Sequence, residues 1–249
     1  MDSALLVQAA SKTYPQGRGG AVTALAETSI SVRENEFLAI VGPSGCGKST
    51  LLRLMAGLEK PSGGAISFQG QGVTRPSGRI GLVFQDYSLL PWRTLLRNIE
   101  LGLEFQGLSR RQIRDKALEY LELVGLAQAQ DAYPHELSGG MRQRAAIARA
   151  LAVEPDVLLM DEPFGALDAH TRLLMQRELL GIWEKRRKTV VFVTHSIDEA
   201  VYLSDRIVVM DKDPGRVIEV LDVDLPRPRT RKNPDFGRLT ESILEMLKY

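Results

Sequence analysis

Nine consecutive residues carry the clearest chemistry in the chain: Gly42, Pro43, Ser44, Gly45, Cys46, Gly47, Lys48, Ser49 and Thr50. They match the phosphate-loop pattern G-x-x-x-x-G-K-[ST]. Glycines let backbone N–H groups turn inward around phosphate oxygens, where a side chain would collide. A helix that follows offers its positive end to the same anion. In this pattern Lys48 neutralises the β- and γ-phosphates and the Ser49 hydroxyl ligates Mg²⁺. The flanks agree. The apolar run Phe37–Val41 precedes the loop, and Leu51, Leu52, Leu54 and Met55 follow at helical spacing. A glycine turn with a chance Lys-Ser pair has no reason to sit in that frame.

Asp161 and Glu162 follow a second apolar run, Val157–Met160. Carboxylates at the carboxyl end of a parallel strand lie on the ligand edge of an open sheet. Asp161 would hold Mg²⁺, directly or through water, and Glu162 would polarise an attacking water. An Asp-Glu pair is weak by itself and gains weight from the phosphate loop. Leu137-Ser138-Gly139-Gly140-Met141-Arg142-Gln143-Arg144 puts a serine and two glycines at a helix mouth. That is a second anion cradle, although Ser138 also reads as an ordinary helix cap. One nucleotide rarely needs two γ-phosphate cradles, so the second is best explained as serving a nucleotide held by another copy.

The elements that position these residues alternate between strand and helix. Thr28–Val32, the run 37–41, Ile66 and Phe68, Ile80–Phe84, Val157–Met160 and Val190–Thr194 read as strands. Ile113, Ala117, Tyr120, Leu121 and Val124 read as a helix between a Ser109 cap and a Gly125 stop. Further helices are expected over Gly139–Ala152 and Ala169–Arg187, and after the capping box Ser196-Ile197-Asp198-Glu199. Ile207–Met210 and Val217–Val220 flank Asp213-Pro214-Gly215 as a hairpin. The expected fold class is α/β with a mostly parallel sheet. The organisation expected is one domain over 1–249. Its nucleotide-binding core and β subdomain take about 1–85 and 153–225, a helical insertion takes about 86–152, and a linker with a terminal helix takes about 226–249.

Composition narrows the setting. The 249 residues hold 32 Lys and Arg against 31 Asp and Glu, a formal net charge of +1, which argues against coating nucleic acid by bulk charge. The single cysteine, Cys46, excludes an internal disulfide and suits a reducing cytosol. Residues 1–10 do not read as a secretory signal, and no apolar run approaches the roughly 20 residues that cross a membrane. Arg110-Arg111 and Lys185–Lys188 read as solvated helix faces. Arg227, Arg229, Arg231 and Lys232 read as a solvated linker, with anionic headgroups as the alternative.

Taken in order, the phosphate loop, Gln85 after a strand, Leu-Ser-Gly-Gly, the 157–162 segment, Ala166-Leu167-Asp168 and His195 after a strand resemble the ATP-binding-cassette ATPases. The resemblance covers nearly the whole length. It implies an antiparallel β subdomain and a helical signature subdomain beside the core. It also implies a head-to-tail dimer with two ATP molecules, each between one copy's phosphate loop and the other's Ser138 region. By the same resemblance Gln85 senses Mg²⁺ and the attacking water, and His195 contacts the γ-phosphate. Asp168 links the two sites across the dimer, and Tyr14 stacks on adenine. Ser138, Gly139 and Gly140 form the signature cradle. Met141 stands where the signature usually has Gln, which puts one hydrogen bond there in doubt.

A single cassette without a membrane segment is similar to the separate motor subunit of an importer. Such a subunit sits peripherally on the cytoplasmic face of the inner membrane beneath an integral permease. An external substrate-binding protein acts on it only through that permease, and no nucleic acid is expected. Leu89-Leu90-Pro91-Trp92 and Asp213-Pro214-Gly215-Arg216-Val217 resemble the branch importing nitrate, sulfonates, taurine and related small organic anions. By this reading, the C-terminal regulatory domain of sugar-importer ATPases is not expected. Tyr87, Leu90, Trp92 and Leu95 read either as core of the helical insertion or as a groove for a permease helix. The rival is a soluble cassette ATPase acting on DNA or ribosomes. The roughly ninety residues between Lys48 and Ser138 leave no room for the long coiled coil of DNA-repair members.

Overall fold

The computed structural model describes residues 3–17 and 20–247, apart from the Arg186 side chain. They form two compact units. One holds the described residues up to Ser77 and from Lys188 onward, and the other spans Gly78–Arg187.

In the first unit, β1 (Ser3–Gln16) pairs antiparallel with β2 (Gly20–Arg33) and with β4 (Gly63–Phe68). The short β5 (Gln71–Gly72) closes this sheet in the order β2-β1-β4-β5. A second set of strands runs in the order β10-β9-β3-β8. It comprises β3 (Phe37–Val41), β8 (Thr189–Thr194), β9 (Arg206–Asp211) and β10 (Arg216–Asp222). β3 is parallel to both β8 and β9, and β10 returns antiparallel to β9 through the expected hairpin. Every residue of β3 and β8 is buried, as unbroken apolar runs in a parallel sheet require. Arg206 crosses between the two strand systems. Its guanidinium donates to Glu36 at 3.1 and 3.2 Å and to the Ser31 carbonyl at 3.1 Å. Burial pushes the Glu36 carboxyl up, while a backbone N–H of Arg33 and the Arg206 charge pull it back.

β1 is the strand that hydropathy patterning does not show. Leu5 and Val7 are buried on one phase, then Ala10 on the other, because Ala9 takes a positive φ of 47° and the register slips there. Gly64 lies against this bulge, and a Cβ on it would stand 2.1 Å from the Ala9 carbonyl oxygen. The first unit also holds α1 (Lys48–Met55), α6 (Ile197–Leu203) and α7 (Pro234–Met246).

The second unit pairs β6 (Ile80–Val83) in parallel with β7 (Val157–Asp161) and carries four helices. These are α2 (Leu95–Leu103), α3 (Arg110–Leu123), α4 (Gly139–Ala152) and α5 (Ala169–Arg186). Ser109 caps α3 in a full capping box with Gln112, and Ser138 caps α4 by accepting from the Met141 N–H. α2 was not among the expected elements. Its cap is Thr94, and Leu95, Leu96, Ile99 and Leu103 form its buried face. Leu95 is therefore core rather than groove. No helix among the described residues is long and apolar enough to cross a membrane.

Candidate functional site

The phosphate loop joins β3 to α1. Gly47 caps α1 in the left-handed region at φ 89°, so glycine meets a backbone need there. Lys48 is buried, and its ammonium donates to the carbonyls of Gly42 at 2.8 Å and Pro43 at 3.0 Å. The loop is thus folded around its own lysine. Cys46 is fully buried beneath it, and burial pushes its thiol up, so it is a poor nucleophile. Ser44 and Gly45 are the exposed part of the loop.

The β9–β10 hairpin supports this loop from below. A Cβ on Gly215 would lie 2.3 Å from the Cys46 carbonyl oxygen and 2.6 Å from that of Ala24. The Gly215 carbonyl accepts from the Ala26 N–H at 2.7 Å. The Asp-Pro-Gly turn is therefore a buttress as well as a connection. Gly215→Ala should cost about 1–3 kcal/mol by overpacking and weaken ATP binding. Denaturant melts and ATP titration check this, with Gly181→Ala as control, since a Cβ there meets nothing within 4 Å.

Tyr14 lies near the end of β1, half-buried. Its hydroxyl donates to Glu59 at 2.5 Å, and the Lys12 ammonium sits 5.0 Å from its ring centroid. Burial first, then the Glu59 carboxylate, push the phenol up. The ring is held by its polar end. His195 follows β8 and is exposed. The capping box expected behind it closes through a third residue. Ser196 accepts from the Glu199 N–H at 3.3 Å, Thr194 Oγ1 accepts from the Ser196 N–H at 3.0 Å, and the Thr194 hydroxyl donates to Glu199 at 2.6 Å.

In the second unit, Asp161 is the last residue of β7, and Glu162 follows with φ 43°, a backbone region that non-glycine residues rarely occupy. Strain of this kind persists where the surroundings over-determine it. The structure brings Glu162 and Gln85 together. A Cβ placed on Gly165 would stand 3.8 Å from both the Gln85 amide nitrogen and a Glu162 carboxylate oxygen. Asp168 caps α5, accepting from the N–H groups of His170 at 3.1 Å and Thr171 at 3.0 Å. Hydrogen bonds from Thr171 hold its carboxyl below the usual carboxylate range.

Ser138 is exposed at the start of α4. The glycines after it also serve packing, since a Cβ on Gly140 would meet Thr171 Cγ2 at 2.9 Å. Met141 is half-buried, and its N–H donates to Ser138 Oγ at 3.3 Å. The Ser138 helix cap therefore forms with methionine at position 141. Two residues that sequence reasoning missed organise the segment after Gln85. Asn98 is fully buried on α2. It accepts from the Leu90 N–H at 2.7 Å and donates to the carbonyls of Leu90, Arg93 and Thr94. Arg149 on α4 donates to the Ser88 and Tyr87 carbonyls at 2.5 and 3.2 Å. The helix that begins at Ser138 thus grips the loop that begins at Gln85.

The basic 227–231 segment corrects the solvated-linker reading. Arg229 is buried, Arg227 bonds Asp205 and the Leu203 carbonyl, and Arg231 is paired with Asp198. Guanidinium groups with carbonyl and carboxylate partners are part of the fold. Arg110 and Arg111 are exposed, as expected.

Known proteins fit this arrangement. Residues 25–165 match the family described as ABC transporter. An uncharacterized ABC transporter ATP-binding protein of Methanocaldococcus jannaschii is 52% identical over 92% of this chain and 86% of its own length. A taurine import ATP-binding protein of Rhizobium johnstonii is 47% identical over 98% of this chain and 96% of its own length. A nitrate import ATP-binding protein of a Synechocystis strain is 45% identical over 93% and 91%. Among solved structures, an ATP-binding cassette in a dimeric post-hydrolysis state with ADP and Pi superposes with a TM-score of 0.79. It is 34% identical and covers 89% of this chain and 100% of its own. Matched by the family model over residues 25–165 and by such relatives over most of its length, the chain belongs to the ABC transporter family, as one of its ATP-hydrolysing cassettes.

Proposed function

We propose that this cassette is the motor subunit of a membrane importer for a small anion of the nitrate, sulfonate or taurine kind. The observation that carries the reading is the near end-to-end match to relatives named for nitrate and taurine import. Two copies, each docked on an integral permease at the cytoplasmic face of the membrane, form the working unit. The dimeric state of the related cassette supports the pairing. A substrate-binding protein outside the membrane acts through the permease.

The roles follow from chemistry and from the family likeness. Lys48 and the phosphate-loop N–H groups hold the β- and γ-phosphates of ATP, and Tyr14 stacks on adenine. Mg²⁺ suits the donors available. Ser49, Gln85 and Asp161 carry hard oxygen atoms and would hold it. Bound there, it would neutralise charge on the phosphates. Glu162 accepts a proton from the attacking water, and Gln85 orients that water. His195 donates to the γ-phosphate. Ser138, Gly139 and Gly140 of the partner subunit complete the cradle, so ATP favours the closed dimer. Asp168 spans toward the partner's site. Loss of the γ-phosphate removes the contacts that favour closure, and the dimer reopens.

The test is phosphate release by the full chain alone, with permease in proteoliposomes, and with DNA or ribosomes. Acceleration by permease alone supports the reading; acceleration by DNA or ribosomes contradicts it. Trp92 provides a second test, because it is 72% exposed beside the Gln85 loop. A large exposed aromatic is the usual anchor of an interface. Trp92→Ala should leave the turnover of the free chain within about twofold, as for most surface changes. It should lower the permease recovered by co-purification. Undiminished recovery counts against the docking role.

A further inference from the structure

We propose that Arg229 and Arg231 are positioning residues for His195, acting through α6. The inference rests on reading His195 as the γ-phosphate contact. His195 stands at the mouth of α6, a helix of seven residues. Two turns of helix are marginal by themselves, so packing must hold them. The N-terminal end is tied to β8 through the Thr194–Glu199 and Ser196 hydrogen bonds described above. Both ends are then gripped by the segment that follows β10.

At the C-terminal end, Arg229 is 7% exposed. Its Nη1 donates to the carbonyls of Val201 at 2.8 Å, Tyr202 at 3.4 Å and Ser204 at 2.5 Å. The other guanidinium nitrogens donate to Val223 at 3.2 Å and Leu225 at 3.0 Å. The last carbonyls of a helix lack intrahelical partners and carry its negative pole, so a buried cation satisfies both needs. At the N-terminal end, Arg231 Nε donates to both Asp198 carboxylate oxygens at 2.7 and 2.9 Å, and Nη2 donates to one of them at 2.5 Å. Asp198 is three residues beyond His195. The same guanidinium lies 4.4 Å from the Tyr202 ring centroid and 5.9 Å from that of Phe236 on α7. One strap therefore spans α6 from its first turn to its last carbonyl. A helix this short, fastened at both ends, carries the residue at its mouth with it. Releasing either fastening lets the imidazole leave the position from which it reaches the phosphate.

The chain has three histidines, His135, His170 and His195, so ring-¹⁵N labelling of the full chain gives a spectrum assignable with one His195→Gln variant. Arg229→Gln, Arg231→Gln and Asp198→Asn should each shift or broaden the His195 signals and leave those of His135 and His170 in place. Arg231→Lys should restore part of the wild-type position. With MgATP, the same variants should lower kcat about tenfold or more, as small misplacements do, with KM for ATP within about twofold. In a His195→Ala background they should change kcat by less than about twofold, because residues acting through one group are not additive. If Arg229→Gln fails to fold, Arg231→Gln and Asp198→Asn carry the test. Unmoved His195 signals overturn the proposal, as does an equal loss of kcat in both backgrounds. If His195→Ala by itself leaves turnover intact, the γ-phosphate reading fails instead, and the imidazole signals still report whether the strap sets the position of the ring.

Discussion

Glu162→Gln is expected to leave ATP binding intact and to remove nearly all turnover. The substitution keeps the size and hydrogen-bonding shape of the side chain and deletes its capacity to take a proton. A positioned general base contributes about 10²–10⁴-fold, and a loss in that range is expected in the rate of phosphate release. Affinity does not fall, because the change removes a negative charge from a phosphate site. The backbone supports this separation of effects. Glu162 sits at φ 43° at the end of a buried strand, and that geometry belongs to the main chain rather than to the carboxylate. With ATP retained and cleavage blocked, the contacts that favour closure persist, so the variant accumulates as a dimer with MgATP. Phosphate release and size-exclusion chromatography check both halves. Turnover near wild type would remove Glu162 from its role.

Lys48→Ala is expected to fail one step earlier, at binding. The lysine is 5% exposed, and its ammonium holds the Gly42 and Pro43 carbonyls. Alanine deletes the one cation the phosphate loop supplies and removes the Lys48 hydrogen bonds to those carbonyls. Truncating one partner of a buried, hydrogen-bonded charge pair costs about 2–5 kcal/mol, so Kd for ATP should rise at least about 30-fold by titration of the full chain. The two variants therefore separate. One binds ATP and stalls, and the other turns over poorly because it binds poorly. Equal ATP affinity for Lys48→Ala and wild type would contradict the assignment of the loop.

Local chemistry was legible in the sequence, and tertiary chemistry was not. The phosphate loop, the Ser138 cap with α4 over Gly139–Ala152, and the carboxylates at the end of β7 lie where residue type and spacing place them. Each depends on a signal within a few residues. β1 was not legible because the Ala9 bulge shifts its buried phase from Val7 to Ala10, which erases the period-two pattern. α2 was hidden by Asn98 and Glu100 on its buried side. The arginines at 227, 229 and 231 read as solvated because charge shows in a sequence and the carbonyls that receive it do not. Asn98 and Arg149 were missed for the same reason. Their partners are main-chain atoms, to which no side-chain pattern points.

The most direct test of the motor reading is to tag the full chain, solubilise membranes gently and identify by mass spectrometry what co-purifies. The account predicts a multi-span permease in near-equal amount, with Glu162→Gln and MgATP raising its recovery. Ribosomal or DNA-repair proteins in place of a permease would leave the ATPase chemistry standing and contradict the assignment to transport.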